Sequence, residues 1–121
     1  MRRIEEGIQR AVADYLDLCL PDHAVWFHCP NGGGRSKAEA GAFKAQGVKA
    51  GVPDILIFHR HPFPITYAIE LKAPGKYLSP AQKDMKAQLE GCGVVYGPVC
   101  RSVDDVKAFL EPLLPMRHTR S

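Results

Sequence analysis

The sequence predicts an α/β domain: an α/β sandwich with a mixed sheet and elements in the order α-β-β-β-α-β-α. Three observations carry this. Arg3 to Cys19 repeats apolar side chains at helical spacing. Between Asp54 and Lys72, two runs rich in β-branched and aromatic residues flank a Pro-containing turn. A capped helix and another β-prone run follow, the alternation expected of strands covered by helices. A chain of 121 residues has room for one domain, 1–121, with enough surface to bury for an independent core.

The first helix is read on a wheel with Ile4 at zero and about 100° per residue. Ile4, Ile8, Ala11, Val12, Tyr15, Leu18 and Cys19 gather on one side. Glu5 lies about 70° from the centre of that stripe, and Glu6 nearly opposite it. Acids at a helix start favour the positive end of the dipole, which accounts for Glu6. Glu5 is the one of the two able to reach inward. Pro21-Asp22 ends the helix.

Ala24-Val25-Trp26-Phe27-His28 reads as the first strand. The following Pro30-Asn31-Gly32-Gly33-Gly34 is a flexible loop or a substrate contact. It is not a Walker loop, since no Gly-Lys-Ser/Thr follows at the required spacing. Arg35, Lys37, Lys44 and Lys49 come next, with Ala38–Phe43 as a candidate short helix. A basic segment here can contact phosphates, although a solvated face accounts for any one of these residues.

The hairpin is the most informative stretch. Ile55-Leu56-Ile57-Phe58 and Ile65-Thr66-Tyr67-Ala68-Ile69 enclose His59-Arg60-His61-Pro62-Phe63-Pro64. With a loop symmetric about Pro62, residue i faces residue about 124 − i across the strands. Asp54 then faces Glu70, and period-2 alternation puts Lys72 on the same face as Glu70. Two carboxylates and a lysine thus converge among Ile, Leu, Phe, Tyr and Ala. Charges in such surroundings require pairing or a bound cation. Facing carboxylates suit a hard divalent metal, and the lysine suits an anion or a nucleophilic water.

Beyond the loop Ala73-Pro74-Gly75-Lys76-Tyr77-Leu78, Ser79 caps a helix with Pro80 at its first position. Ser79-x-x-Gln82 is a capping box, a complete structural explanation of Gln82. Met85, Leu89 and Cys92 form the apolar side of this helix, and Gly91 and Gly93 end it. Val94–Gly97 is a fourth strand. Ser102-Val103-Asp104-Asp105 opens a last helix with Val106, Phe109 and Leu110 inward. Residues 116–121 are expected to form a loose tail. His28, His59 and His61 have no partner at ligand spacing and read as surface or packing residues.

Pro53-Asp54 and Glu70-Leu71-Lys72, set between Gly47–Val52 upstream and Leu78-Ser79-Pro80-Ala81-Gln82 downstream, resemble a known arrangement. It is the metal motif of the PD-(D/E)XK nuclease superfamily. From Glu5 to Leu110 the chain resembles its virus-type replication-repair nuclease (VRR-NUC) domain, in the form found alone in phages and bacteria. The resemblance implies a restriction-endonuclease-like core and a metal-dependent DNA endonuclease. It implies that Asp54 and Glu70 hold Mg²⁺ or Mn²⁺ with the backbone carbonyl of Leu71. Glu5, in a pattern similar to Glu5-x-x-Ile8-Gln9, would help hold the metal, and Lys72 would orient or help deprotonate the attacking water. The matching Gln82 would lie beside the site and position that lysine or water. Domains resembling this one tend to be homodimers that cut branched DNA such as four-way junctions. Pro62-Phe63-Pro64 and Leu113-Leu114-Pro115-Met116 are the candidate dimer surfaces. Arg35, Lys44, Lys49 and Lys76 are the candidate DNA contacts.

Composition narrows the alternatives. Hydrophobic residues make up 45% and charged residues 24%, ordinary for a folded globular domain. A net charge of +3 and a pI near 8.7 permit nucleic acid as a partner without demanding it. No run of ~18 apolar residues offers a membrane span. Met1–Glu6 lacks the apolar core of a signal peptide. The four cysteines show no metal-like spacing, which fits free thiols and a cytoplasmic location in a bacterium or phage-infected host. Two other classes stay open: a catalytically inactive nucleic-acid-binding module of the same fold, and a structural protein in which Lys72 is a salt-bridge partner.

Overall fold

The computed structural model describes residues 2–30 and 37–117. Four helices and four strands alternate as α1 (Arg2–Cys19), β1 (Val25–His28), α2 (Lys37–Ala45), β2 (Ile55–His59), β3 (Ile65–Ile69), α3 (Pro80–Gly91), β4 (Val95–Tyr96) and α4 (Val103–Leu110). The sheet order is β1-β2-β3-β4. The first three strands form an antiparallel meander, and β4 joins β3 in parallel. The sheet is therefore mixed, as expected. The candidate short helix forms as α2 and adds one element to the expected order. The fourth strand is shorter than the expected 94–97 and keeps only Val95 and Tyr96.

The hairpin register is the expected one. Ile55 pairs with Ile69, Leu56 with Ala68 and Ile57 with Tyr67, each pair obeying i + j = 124. Alternation then divides the sheet into two unlike faces. On one face, Ile55, Ile57, Tyr67 and Ile69 form the core with Val12, Tyr15, Leu16 and Cys19 of α1 and with Val106 and Leu110 of α4. Trp26 of β1 packs on that core, and its indole N–H donates to the Asp17 carboxylate of α1 at 2.8 Å. On the other face, α3 lies against β4, with the Lys86 ammonium 5.8 Å from the Tyr96 ring centroid. The β1–β2 half of that second face stays open: Val25 is 59% and Phe27 47% exposed.

The buried stripe of α1 departs from the expected one. Leu16, absent from it, is fully buried, whereas Ile4, Ala11 and Leu18 are exposed. The centre of burial, set by Val12, Tyr15, Leu16 and Cys19, is turned toward Glu5. On α3 no residue is fully buried, and Cys92, expected on its apolar side, is exposed.

The chain end also differs from the expected loose tail. Leu114 is buried and Met116 packs against the core. Arg117 donates from its backbone N–H to Cys19 O at 2.6 Å and from Nε to Leu20 O at 2.7 Å. These carbonyls end α1 and have no partner within the helix, so the Arg117 backbone N–H caps the first and its guanidinium the second. Residues 118–121 lie outside the described part. No described helix is long and apolar enough to cross a membrane.

Candidate active site

The site is built where β2 starts and β3 ends. Asp54 precedes β2 by one residue and Glu70 follows β3 by one, so the register continues to place them face to face. Backbone hydrogen bonds pin both. Cys29 N–H donates to Asp54 O at 2.7 Å, and Cys100 N–H donates to Glu70 O at 2.9 Å. Asp54 Oδ2 accepts from Leu71 N–H at 2.6 Å, which ties the two halves of the motif together. Lys72 N–H donates to Cys100 O at 3.0 Å, extending the parallel edge past β3. Among the described residues, no backbone hydrogen bond ends at the Leu71 carbonyl.

Glu70 is the outlier in this arrangement. It is 3% exposed, and neither carboxylate oxygen has a hydrogen-bond partner. Burial, then the facing Asp54 charge, push its carboxyl up to about 8, while Lys72 opposes the shift. Asp54 is also raised, first by burial, with a further push from Glu5. The Leu71 N–H, His28 and Lys72 pull it back down. A buried, unpartnered carboxylate beside a second one is strongly unfavourable unless a proton or a cation joins them. Oxygen-only donors of this kind match a hard divalent ion. Among the described residues, no three His, Cys, Asp or Glu side chains form a ready-made metal cage. The fit is with two carboxylates completed by backbone oxygen and solvent.

The other expected residues divide. Glu5 is half-buried and close enough to act on Asp54, whereas Glu6 is exposed. Replacing Glu5 with Ala is therefore expected to weaken metal binding or cleavage several-fold, and Glu6→Ala to leave both unchanged. A reversed order in the two variants would mean that the phase of α1 has been misread. Gln82 has a definite structural duty: its Oε1 accepts from Ser79 N–H at 2.9 Å while Ser79 Oγ accepts from Gln82 N–H at 3.2 Å. This capping box holds the first turn of α3 beside Gly51, three residues before Asp54. Lys44, Lys49 and Lys76 are exposed on α2, the loop after it and the loop before α3. Arg35 lies outside the described residues.

Three residues beside the site were not expected there. The His28 ring nitrogen Nδ1 is 2.8 Å from Asp54 O. Arg101 donates from Nη1 to Ala73 O at 2.7 Å and stacks 5.3 Å from the Tyr77 ring, fixing the loop after Lys72. Tyr96 sits level with Ala68 on the same sheet face as Glu70. Its hydroxyl is buried without a partner, and burial together with Glu70 raises it to about 12. A strand of two residues carries no alternation from which that facing could be read.

Comparison with known proteins identifies the family. A model of the VRR-NUC domain family matches residues 6–104. A solved structure described as a VRR_NUC domain protein is similar at 26% identity and a TM-score of 0.62, covering 88% of this chain and 84% of that one. No curated protein is similar enough to count as a relative. The matched span takes in Asp54, Glu70 and Lys72 together with the whole sheet, and the chain belongs to the VRR-NUC family.

Proposed function

We propose that this VRR-NUC domain is a metal-dependent endonuclease hydrolysing DNA phosphodiester bonds. The observation that carries the reading is the buried Glu70 carboxylate, with both oxygens unpartnered, facing Asp54. Asp54, Glu70 and the Leu71 carbonyl would hold Mg²⁺ or Mn²⁺, with Glu5 close by. When bound, such an ion lowers the pKa of a coordinated water and neutralises charge on the scissile phosphate. Lys72 shares the face of Glu70 and acts electrostatically on both carboxylates. Its ammonium forms no ion pair with either among the described residues. That supports a lysine kept for water and phosphate over one spent on a structural salt bridge. Lys44, Lys49 and Lys76 would track the DNA backbone.

The preferred substrate in this reading is branched DNA, cut by a two-fold dimer that presents two sites to a two-fold junction. Of the two candidate dimer surfaces, the Pro62-Phe63-Pro64 turn is exposed. Leu114 of the other is committed to the core.

A thermal-shift titration tests the metal reading directly. Mn²⁺ or Mg²⁺ is expected to raise the melting temperature, and more at pH 8 than at pH 6, because binding to the folded state alone stabilises it. The pH dependence follows from competition between the ion and the Glu70 proton, held up to about 8. In parallel, a four-way junction should be cut faster than a flap or a linear duplex. No shift at either pH, with cleavage persisting in EDTA, would reject the metal mechanism; equal rates on all three DNAs would reject the junction preference.

A further inference from the structure

The half of the site-bearing sheet face that α3 leaves open is itself patterned. Starting at Asp54 and moving along β2, the residues on this face are Leu56, Phe58 and then Arg60 just past the strand. Along β1 the cross-strand partners are Phe27 beside Leu56 and Val25 beside Phe58. One step further, Arg60 Nη2 lies 3.2 Å from His23 Nδ1, continuing the same register. The Phe27 and Phe58 rings are 5.5 Å apart at 32° and are respectively 47% and 36% exposed. At about 3.3 Å per residue, Leu56 and Phe27 lie about 7 Å from the level of Asp54, Phe58 about 13 Å and Arg60 about 20 Å.

We infer that this open half-face is a track for a few nucleotides of the cut strand that are unpaired at a branch point, with bases on Phe27 and Phe58 and backbone phosphate at Arg60. The inference rests on the nuclease reading above. Three features favour this occupant over another protein surface. The aromatic strip is continuous with the carboxylates on one sheet face. It ends on a guanidinium, complementary to a polyanion. Its length matches a few nucleotides of an extended strand, as in other sheet-based platforms that stack bases on aromatic rings. Among the described residues, Val25, Phe27 and Phe58 stay exposed on this face, whereas α1 and α4 pack on the opposite one.

The test uses the full chain in EDTA, so that binding is read without cleavage. Fluorescence anisotropy compares a thymidine oligonucleotide of about eight residues, inside the range of known single-strand sites, with an abasic strand of equal length. The wild-type chain is expected to prefer the base-bearing strand about tenfold. Phe27→Leu and Phe58→Leu, which keep the apolar volume, should abolish that preference, and Phe27→Trp should retain it. Equal affinity for the two strands in the wild type, or a preference untouched by both leucine variants, overturns the track. So does a fall from dimer to monomer mass by light scattering on Phe27→Leu, which would assign the strip to self-association. Cleavage in Mn²⁺ separates this inference from the function it rests on. Cleavage without base preference rejects the track alone, and base preference without cleavage supports the track while rejecting the nuclease. Neither cleavage nor binding rejects both.

Discussion

Glu70→Gln is expected to abolish DNA cleavage, by a factor of about a thousand or more, while making the metal-free protein more stable at pH 8. The loss of activity follows from removing a charge preorganised at the reacting centre. Asp54→Asn and Lys72→Ala should act in the same direction on cleavage. The gain in stability has a separate origin. An unfolded chain releases the Glu70 proton near the ordinary value of 4.5, but the folded chain holds it until about 8. Between those values the folded state binds more protons, so stability falls as pH rises through that window. Above it, the buried charge costs on the order of 5 kcal/mol at about 1.4 kcal/mol per unit. Glutamine carries no such charge. Melting curves of the two proteins in EDTA should therefore separate at pH 8 and converge near pH 5. Full-rate cleavage by Glu70→Gln would sink the site assignment, and parallel melting curves at all pH values would sink the burial argument.

Gly51→Ala is the second large effect, and it acts through the backbone. Gly51 has φ +81, in the left-handed region, and a Cβ there would overlap the Ala81 carbonyl oxygen and lie 2.9 Å from Gln82 N. The conformation alone costs an alanine about 1–2 kcal/mol. The overlap adds more, because the neighbour is the backbone of a helix turn locked by its capping box and cannot swing aside. A total loss on the order of 3–5 kcal/mol is expected, the range of the more damaging single substitutions. Asp54, three residues on, should lose its position as well. Urea unfolding measures the first effect and cleavage the second. An unchanged midpoint would show that the loop does not rest on α3.

Much of the site could be read from the sequence because it depends on local rules. A hairpin with a short loop fixes its register through alternation alone, so Asp54 opposite Glu70 followed from strand periodicity. Ser79-x-x-Gln82 is likewise a local signature, and the cap forms as expected. What could not be read depends on partners distant in sequence. Which arc of α1 is buried is decided by the sheet and α4, so Leu16 was missed and Leu18 wrongly placed inside. Tyr96 reaches the site through a parallel pairing with β3, across the intervening α3. His28 lies beside Asp54 because β1 pairs with β2 over a connection that includes α2. No pattern within a few residues of either side chain announces these placements.

The Arg117 cap on α1 has a consequence for how the chain acquires its structure. The meander of β1, β2 and β3 closes over modest sequence separations, whereas the bond from Arg117 Nε to Leu20 O spans 97 residues. Closing so long a loop is entropically unfavourable and gains little until the elements between are in place. The sheet is thus expected to nucleate first, with the end of α1 fixed only when the segment after α4 docks. Arg117→Ala should then speed unfolding and leave the refolding rate nearly unchanged, the signature of a contact formed after the barrier. A slowed refolding arm would instead place the joining of the two chain ends inside the nucleus.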